Sequence, residues 1–306
     1  MTQPDPPASR VGAVLPHPLL RDAAEALASG IARPSLPRRD AEADIAADYT
    51  ERIRRDLTEG EARLLESISG LRERGLALCR AGRIQDGGSL MAHTRGMLTR
   101  AKISREAFVL ADSFLCAAEG FVHFTSGRTD AAVSSMLLAL DRCRELRDSW
   151  NYPVEGRRIH IACNIERVRV AAGHTQESSV VLAQLLNLID TSDRRYWPYP
   201  HLEYDSEPDR LDDDVRWELT DQALAVLTRL DLKTLGQVAA LVAWPDGEAT
   251  SPWAARARCF AEALHADASG DLEAFLTSCA AFFPFGPQRL PRAFGSLSKR
   301  LLKVLG

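Results

Sequence analysis

In Gly120-Phe121-Val122-His123-Phe124-Thr125-Ser126-Gly127-Arg128-Thr129-Asp130-Ala131-Ala132, one apolar-periodic run ends at a glycine and a second begins directly beyond it. A glycine just past a helix end accepts the left-handed backbone that reverses the chain, so this stretch predicts two antiparallel helices turning at Gly127. Met136, Ala139 and Leu140 continue the second run at helical spacing. Small residues fall where the two helices would cross closely, and larger ones fill the space between.

The same break recurs along the chain. Arg80-Ala81-Gly82-Arg83 and Ala171-Ala172-Gly173-His174 place glycines 45 residues before and 46 residues after Gly127, and Gly270 repeats the pattern near the end. A fixed period is the signature of a repeat architecture. The chain reads as five helical hairpins with turns near 82–86, 127–130, 173–176, 230–232 and 270–271, closed by a final helix from Leu290 to Leu305. Nothing alternates with a period of two for long enough to be a strand.

The small-residue, glycine and alanine positions Gly120, Gly127, Ala132 and Ala139 resemble a tetratricopeptide repeat. Gly75 and Gly82 keep the first two of these positions in the preceding unit, where Gly87 stands at the first alanine. Glu166 and Ser178 depart from the pattern in the following unit. The period is longer than the roughly 34 residues of that family, so other paired-helix solenoids with longer helices stay open. Over residues 60–283 the resemblance implies an all-α right-handed solenoid of antiparallel helical hairpins with a terminal capping helix. It also implies a concave surface, built from the first helix of each pair, that holds a peptide or another protein. Carried over residue by residue, that surface presents Arg72, Leu76 and Arg80, then Phe114, Phe121 and Phe124, then His160, Arg167 and Val170. Cations around an aromatic centre suit a protein or peptide partner with an acidic group and an apolar anchor.

Three regions follow from composition. Residues 1–38 hold seven of the sixteen prolines and read as an irregular arm with one short helix near Arg21 to Ser29. Residues 39–285 form the stack, with an insertion at about 192–214. Residues 286–306 read as a basic amphipathic capping helix, with Arg289, Arg292, Lys299, Arg300 and Lys303 and no acidic residue. A membrane surface or nucleic acid is the lesser reading of that helix, because a solenoid needs a terminal helix with one polar face. Within the insertion, Arg194-Arg195-Tyr196-Trp197-Pro198-Tyr199-Pro200 is too aromatic for a simple linker. It is either a binding loop led by Trp197 or an aromatic lid on the core, and an acidic run from Asp205 to Asp214 follows it.

The 306 residues are 45% hydrophobic and 26% charged, which excludes bulk disorder, and the formal charge of −4 argues against a nucleic-acid binder. No stretch reads as a signal peptide or as the roughly 20 apolar residues of a membrane span, so the expected location is the cytoplasm. Six scattered cysteines lack any zinc spacing and read as reduced core residues.

Two patterns raise the question of chemistry. Asp40-x-x-x-Asp44 and Asp209-x-x-x-Asp213 would, if paired across a cavity, hold magnesium and a diphosphate. An all-helical magnesium-dependent enzyme is therefore the alternative function, although carboxylates four apart also occur on ordinary solvated helix faces. Glu119 with His123 and His160 with Glu166 miss the three-residue Glu-to-His spacing of di-iron bundles. No phosphate loop, nucleophile elbow or metalloprotease motif occurs. The expectation is a cytoplasmic adaptor or accessory protein that needs no cofactor or metal, more a binding protein than an enzyme.

Overall fold

The computed structural model describes residues 18–32, 49, 51–53, 55–203, 209–230 and 251–305. Among these residues every regular element is a helix: α1 Pro18–Ala32, α2 Glu59–Arg80, α3 Ile84–Arg100, α4 Arg105–Thr125, α5 Thr129–Trp150, α6 Glu155–Ala171, α7 Thr175–Thr191, α8 Asp213–Leu227, α9 Pro252–Ser269, α10 Leu272–Phe282 and α11 Pro291–Leu305, with three short 3-10 turns.

Local chemistry starts and stops these helices. Thr58 caps α2 in a box with Glu61, and the second carboxylate oxygen of Glu61 accepts from the Ser104 N–H at 2.7 Å. Ser104 is the cap of α4, so one carboxylate ties two helix starts together. The Ser104 contacts and the Thr58 contacts hold Glu61 down at about 2. At the other ends, Gly82, Gly127, Gly173 and Gly270 all have positive φ. They stand at the turns α2 to α3, α4 to α5, α6 to α7 and α9 to α10, as their spacing predicts. The turn expected at 230–232 lies partly outside the described residues.

Consecutive helices pack along one another across these turns, and α4 against α5 is the most extensive contact. Gly120 is where that pair closes: a Cβ there would meet Met136 Cγ at 2.7 Å and the Ala132 carbonyl at 3.1 Å. Between pairs, α2 and α3 touch α4, α5 touches α6, and α6 and α7 touch α8. The interior runs through Leu110, Leu115, Leu140, Leu146 and Ile159 to an aromatic cluster of Phe260, Phe282, Phe283 and Phe294. Five cysteines are buried and Cys259 is half-buried, and all six are free thiols.

Both ends of the described chain depart from the sequence reading. Helix α1, expected as a short helix in an arm ahead of the stack, is 15 residues long and packs on α10, on Phe283–Phe285 and on α11. Gly30 comes so close to the Phe283 carbonyl that a Cβ would lie 2.3 Å from it. Helix α11 lies across α8, α9 and α10 rather than on the last pair alone. Its first N–H groups are capped from another helix: the Asp221 carboxylate of α8 accepts from the Arg292 and Ala293 N–H groups at 3.1 and 3.0 Å. Burial pushes Asp221 up to about 6 against the pull of those donors. A third departure concerns α4, which is long and apolar enough by composition to cross a bilayer. It is mostly buried within the protein and carries Asp112 and Glu119, both ion-paired with Arg95.

Candidate functional site

Helix α6 is buried on nearly every side, yet its sequence is polar, with Arg157, Arg158, His160, Asn164, Glu166, Arg167 and Arg169 in 17 residues. A helix in that position is ordinarily apolar all round. Helical spacing divides its polar groups between two faces.

Toward α4 and α8 lie Arg157, His160, Asn164 and Arg167, at intervals of three, four and three. Arg157 donates to the Ser113 carbonyl at 2.9 Å, and its guanidinium lies 3.5 Å from the centre of the Phe114 ring. Arg72 of α2 stands 4.9 Å from the same ring, and Tyr49 meets it edge-on at 5.6 Å. Phe114 is thereby flanked by two cations. Farther along, the Asn164 amide donates to His160 Nε2 at 2.9 Å and accepts from Arg167 at 2.6 Å. With Nε2 accepting, His160 is neutral and carries its proton on Nδ1.

Among the described residues no carboxylate is ion-paired with Arg157 or Arg167, and Arg157 Nε is buried without a hydrogen-bond partner. Burial, joined by Arg72, holds Arg157 below its usual value, although Cys143 and Tyr49 oppose the shift. Burial, joined by Arg229 and Arg292, does the same to Arg167. His160 is lowered to about 4 by burial and then by Arg157 and Arg167, while Glu218 and Gln222 of α8 pull the other way. Gln222 Oε1 is also buried and unpartnered. The result is a positive, partly dehydrated face with one unused donor at Arg157 Nε, which favours an incoming anion.

The opposite face of α6 is neutral and covered. Arg158 pairs with Glu155 at 3.2 Å, donates to the Leu202 carbonyl at 2.9 Å and lies 4.0 Å from the Trp197 ring. Glu166 pairs with Arg169 at 3.0 Å and accepts from the Tyr199 hydroxyl at 2.7 Å. The Trp197 indole donates to the Tyr199 carbonyl, and Trp197 is only 5% exposed. The aromatic segment is thus a lid on the core over its described residues, and Trp197 is not open to a partner.

Of the other sequence candidates, Arg80 is exposed and stands 5.9 Å from the Phe121 ring. Leu76, Phe121 and Phe124 are half-buried and packed against the core, and Val170 is buried. The structure therefore joins Arg72 with Phe114, Arg80 with Phe121, and His160 with Arg167. It adds Arg157, Asn164 and Gln222. Arg157 and Asn164 were legible as the rest of the stripe on α6, whereas Gln222 has no local signal. Asp40 and Asp44 lie outside the described residues. Asp209 is paired with Arg147, and Asp213 sits in the first turn of α8. Compared with protein-family models, with curated proteins and with solved structures, the chain matches none.

Proposed function

We propose that this chain is a cytoplasmic adaptor or accessory protein, a right-handed tetratricopeptide-like stack of helical hairpins whose inner face holds a protein or peptide segment through an acidic group. The turns at Gly82, Gly127 and Gly173 and the contacts of α2 with α4 and of α6 with α8 support the stacked arrangement. One observation carries the binding role: α6 presents Arg157 and Arg167 on one face with no carboxylate among the described residues paired to either. A half-buried guanidinium without a counter-charge is costly in the free protein, and a partner carboxylate taken bidentately would offset that cost. Phe114, already flanked by Arg72 and Arg157, supplies the apolar contact beside the charge.

Co-purification from the source cell tests this reading. A stoichiometric partner is expected, and Arg80→Glu with Arg167→Glu should weaken its binding tenfold or more, equivalent to ~1.4 kcal/mol, with salt weakening the wild type. A folded double variant that binds its partner normally at low salt would remove the inner face from consideration.

A further inference from the structure

Helix α11 carries a second cluster of cations, of which only Arg292 bears on the inner face, through Arg167. Arg292, Ser296, Lys299 and Lys303 recur at intervals of four, three and four along one side of the helix, and Gly295 lies beside them. The small residues at 295 and 296 leave a hollow between the long ones: no neighbouring atom lies within 4 Å of where a side chain at Gly295 would begin. Together with Asp267, Arg300 and Val304 they line a cavity of ≈ 720 Å³. Its charges are unequal. Arg292 is engaged by Glu218 at 3.0 Å and Asp221 at 3.7 Å, and Arg300 is paired with Asp267. Lys299 and Lys303 are exposed and have no carboxylate partner among the described residues. Two free ammonium groups, one hydroxyl and an open floor match the size and charge of a tetrahedral dianion better than those of a single carboxylate.

We propose that this hollow on α11 is a binding site for a small organic phosphate. Ammonium groups bind phosphate as point charges, which suits lysines facing a spherical anion more than a planar one. The volume falls in the range of small-molecule sites, room for a phosphate together with the body that carries it. The buried face of α11, with Ala293, Phe294, Leu297 and Leu301 in the core, holds the cationic side toward solvent.

The test uses inorganic phosphate at pH 8, where it is a dianion, on the full chain at constant ionic strength with chloride as the control. Phosphate should raise the melting temperature in a saturable manner. Lys299→Gln with Lys303→Gln, exposed positions that leave the core untouched, should weaken the apparent affinity at least tenfold. Arg157→Met should leave the phosphate effect unchanged, because Arg157 contacts Ser113 and Phe114 and does not line the hollow. A rise no greater than that with chloride would overturn the proposal, as would one that survives in the double lysine variant. Leu302, 55% exposed on the same helix, provides the remaining arm. Sedimentation with phosphatidylglycerol vesicles that is lost in Leu302→Gln, without any response to phosphate, would assign this face to a lipid surface and overturn the proposal as well.

Discussion

Arg157 and Arg158 are neighbours in sequence and opposites in the fold. Arg158 faces the aromatic segment, where Glu155 neutralises its charge and the Leu202 carbonyl and the Trp197 ring receive its guanidinium. Arg157 faces α4, where a ring and one carbonyl receive it and no carboxylate among the described residues does. The same contrast runs along α6, since Arg169 is paired with Glu166 while Arg167 donates to Asn164 and pairs with no carboxylate among the described residues. Burial of charge is therefore not in itself a sign of function in this protein. The sign is burial without neutralisation, because an evolved core ordinarily pairs the charges it encloses.

The largest expected effect is on the neutralised side. Arg158→Met should cost about 3–5 kcal/mol in urea denaturation, since it removes the buried ion pair with Glu155 and the donor to the Leu202 carbonyl. A loss below 1 kcal/mol would erase the distinction between the two faces.

Acid should act through the other face. The folded value of His160 is lowered to about 4 from 6.5, so between those limits the unfolded chain takes a proton that the folded chain refuses. Stability contributed by this group is thus full above pH 6.5 and is lost as pH falls toward 4, by roughly 2–3 kcal/mol. Arg157 and Arg167 favour the shift, and Glu218, Gln222 and Asn164 are the other groups facing the ring. His160→Gln should flatten this part of the pH–stability curve. An unchanged acid limb in the variant would show that the ring is more solvated than its surroundings imply.

Smaller still is the hydroxyl that closes the lid. Tyr199→Phe removes the donor to buried Glu166 and should cost about 1–2 kcal/mol, read as a shift in the denaturation midpoint at constant slope. Arg157→Met should change stability least, within about 1 kcal/mol in either direction, because an unbranched apolar side chain replaces a charge that pairs with no carboxylate among the described residues. The same variant should abolish or severely weaken capture of the acidic partner. If it unfolds the protein, Arg157 is a structural residue and the comparison with Arg158 fails.

Local physics made the helices legible from the chain alone. The glycines at Gly82, Gly127, Gly173 and Gly270 each need the left-handed backbone at a helix end, and that requirement is met within a few residues. The crossing at Gly120 and the caps at Thr58 and Ser104 are likewise short-range, as is the polar stripe on α6. The pairs that neutralise Arg158 and Arg169 are local as well, each with a glutamate three residues earlier on α6, whereas tertiary structure alone decided what covers each face of that helix. Trp197 and Tyr199 seal α6 rather than greet a partner because Arg158 and Glu166 lie beneath them, 39 and 33 residues earlier in the chain. Helix α1 docks beside Phe283 and Phe294 near the other end of the described chain, a pairing with no trace in any local pattern. Helix formation and the ion pairs of α6 respond to neighbours three and four residues away, whereas the cover over a buried charge depends on which distant side chain arrives within about 4 Å. No periodicity in the sequence encodes that arrival.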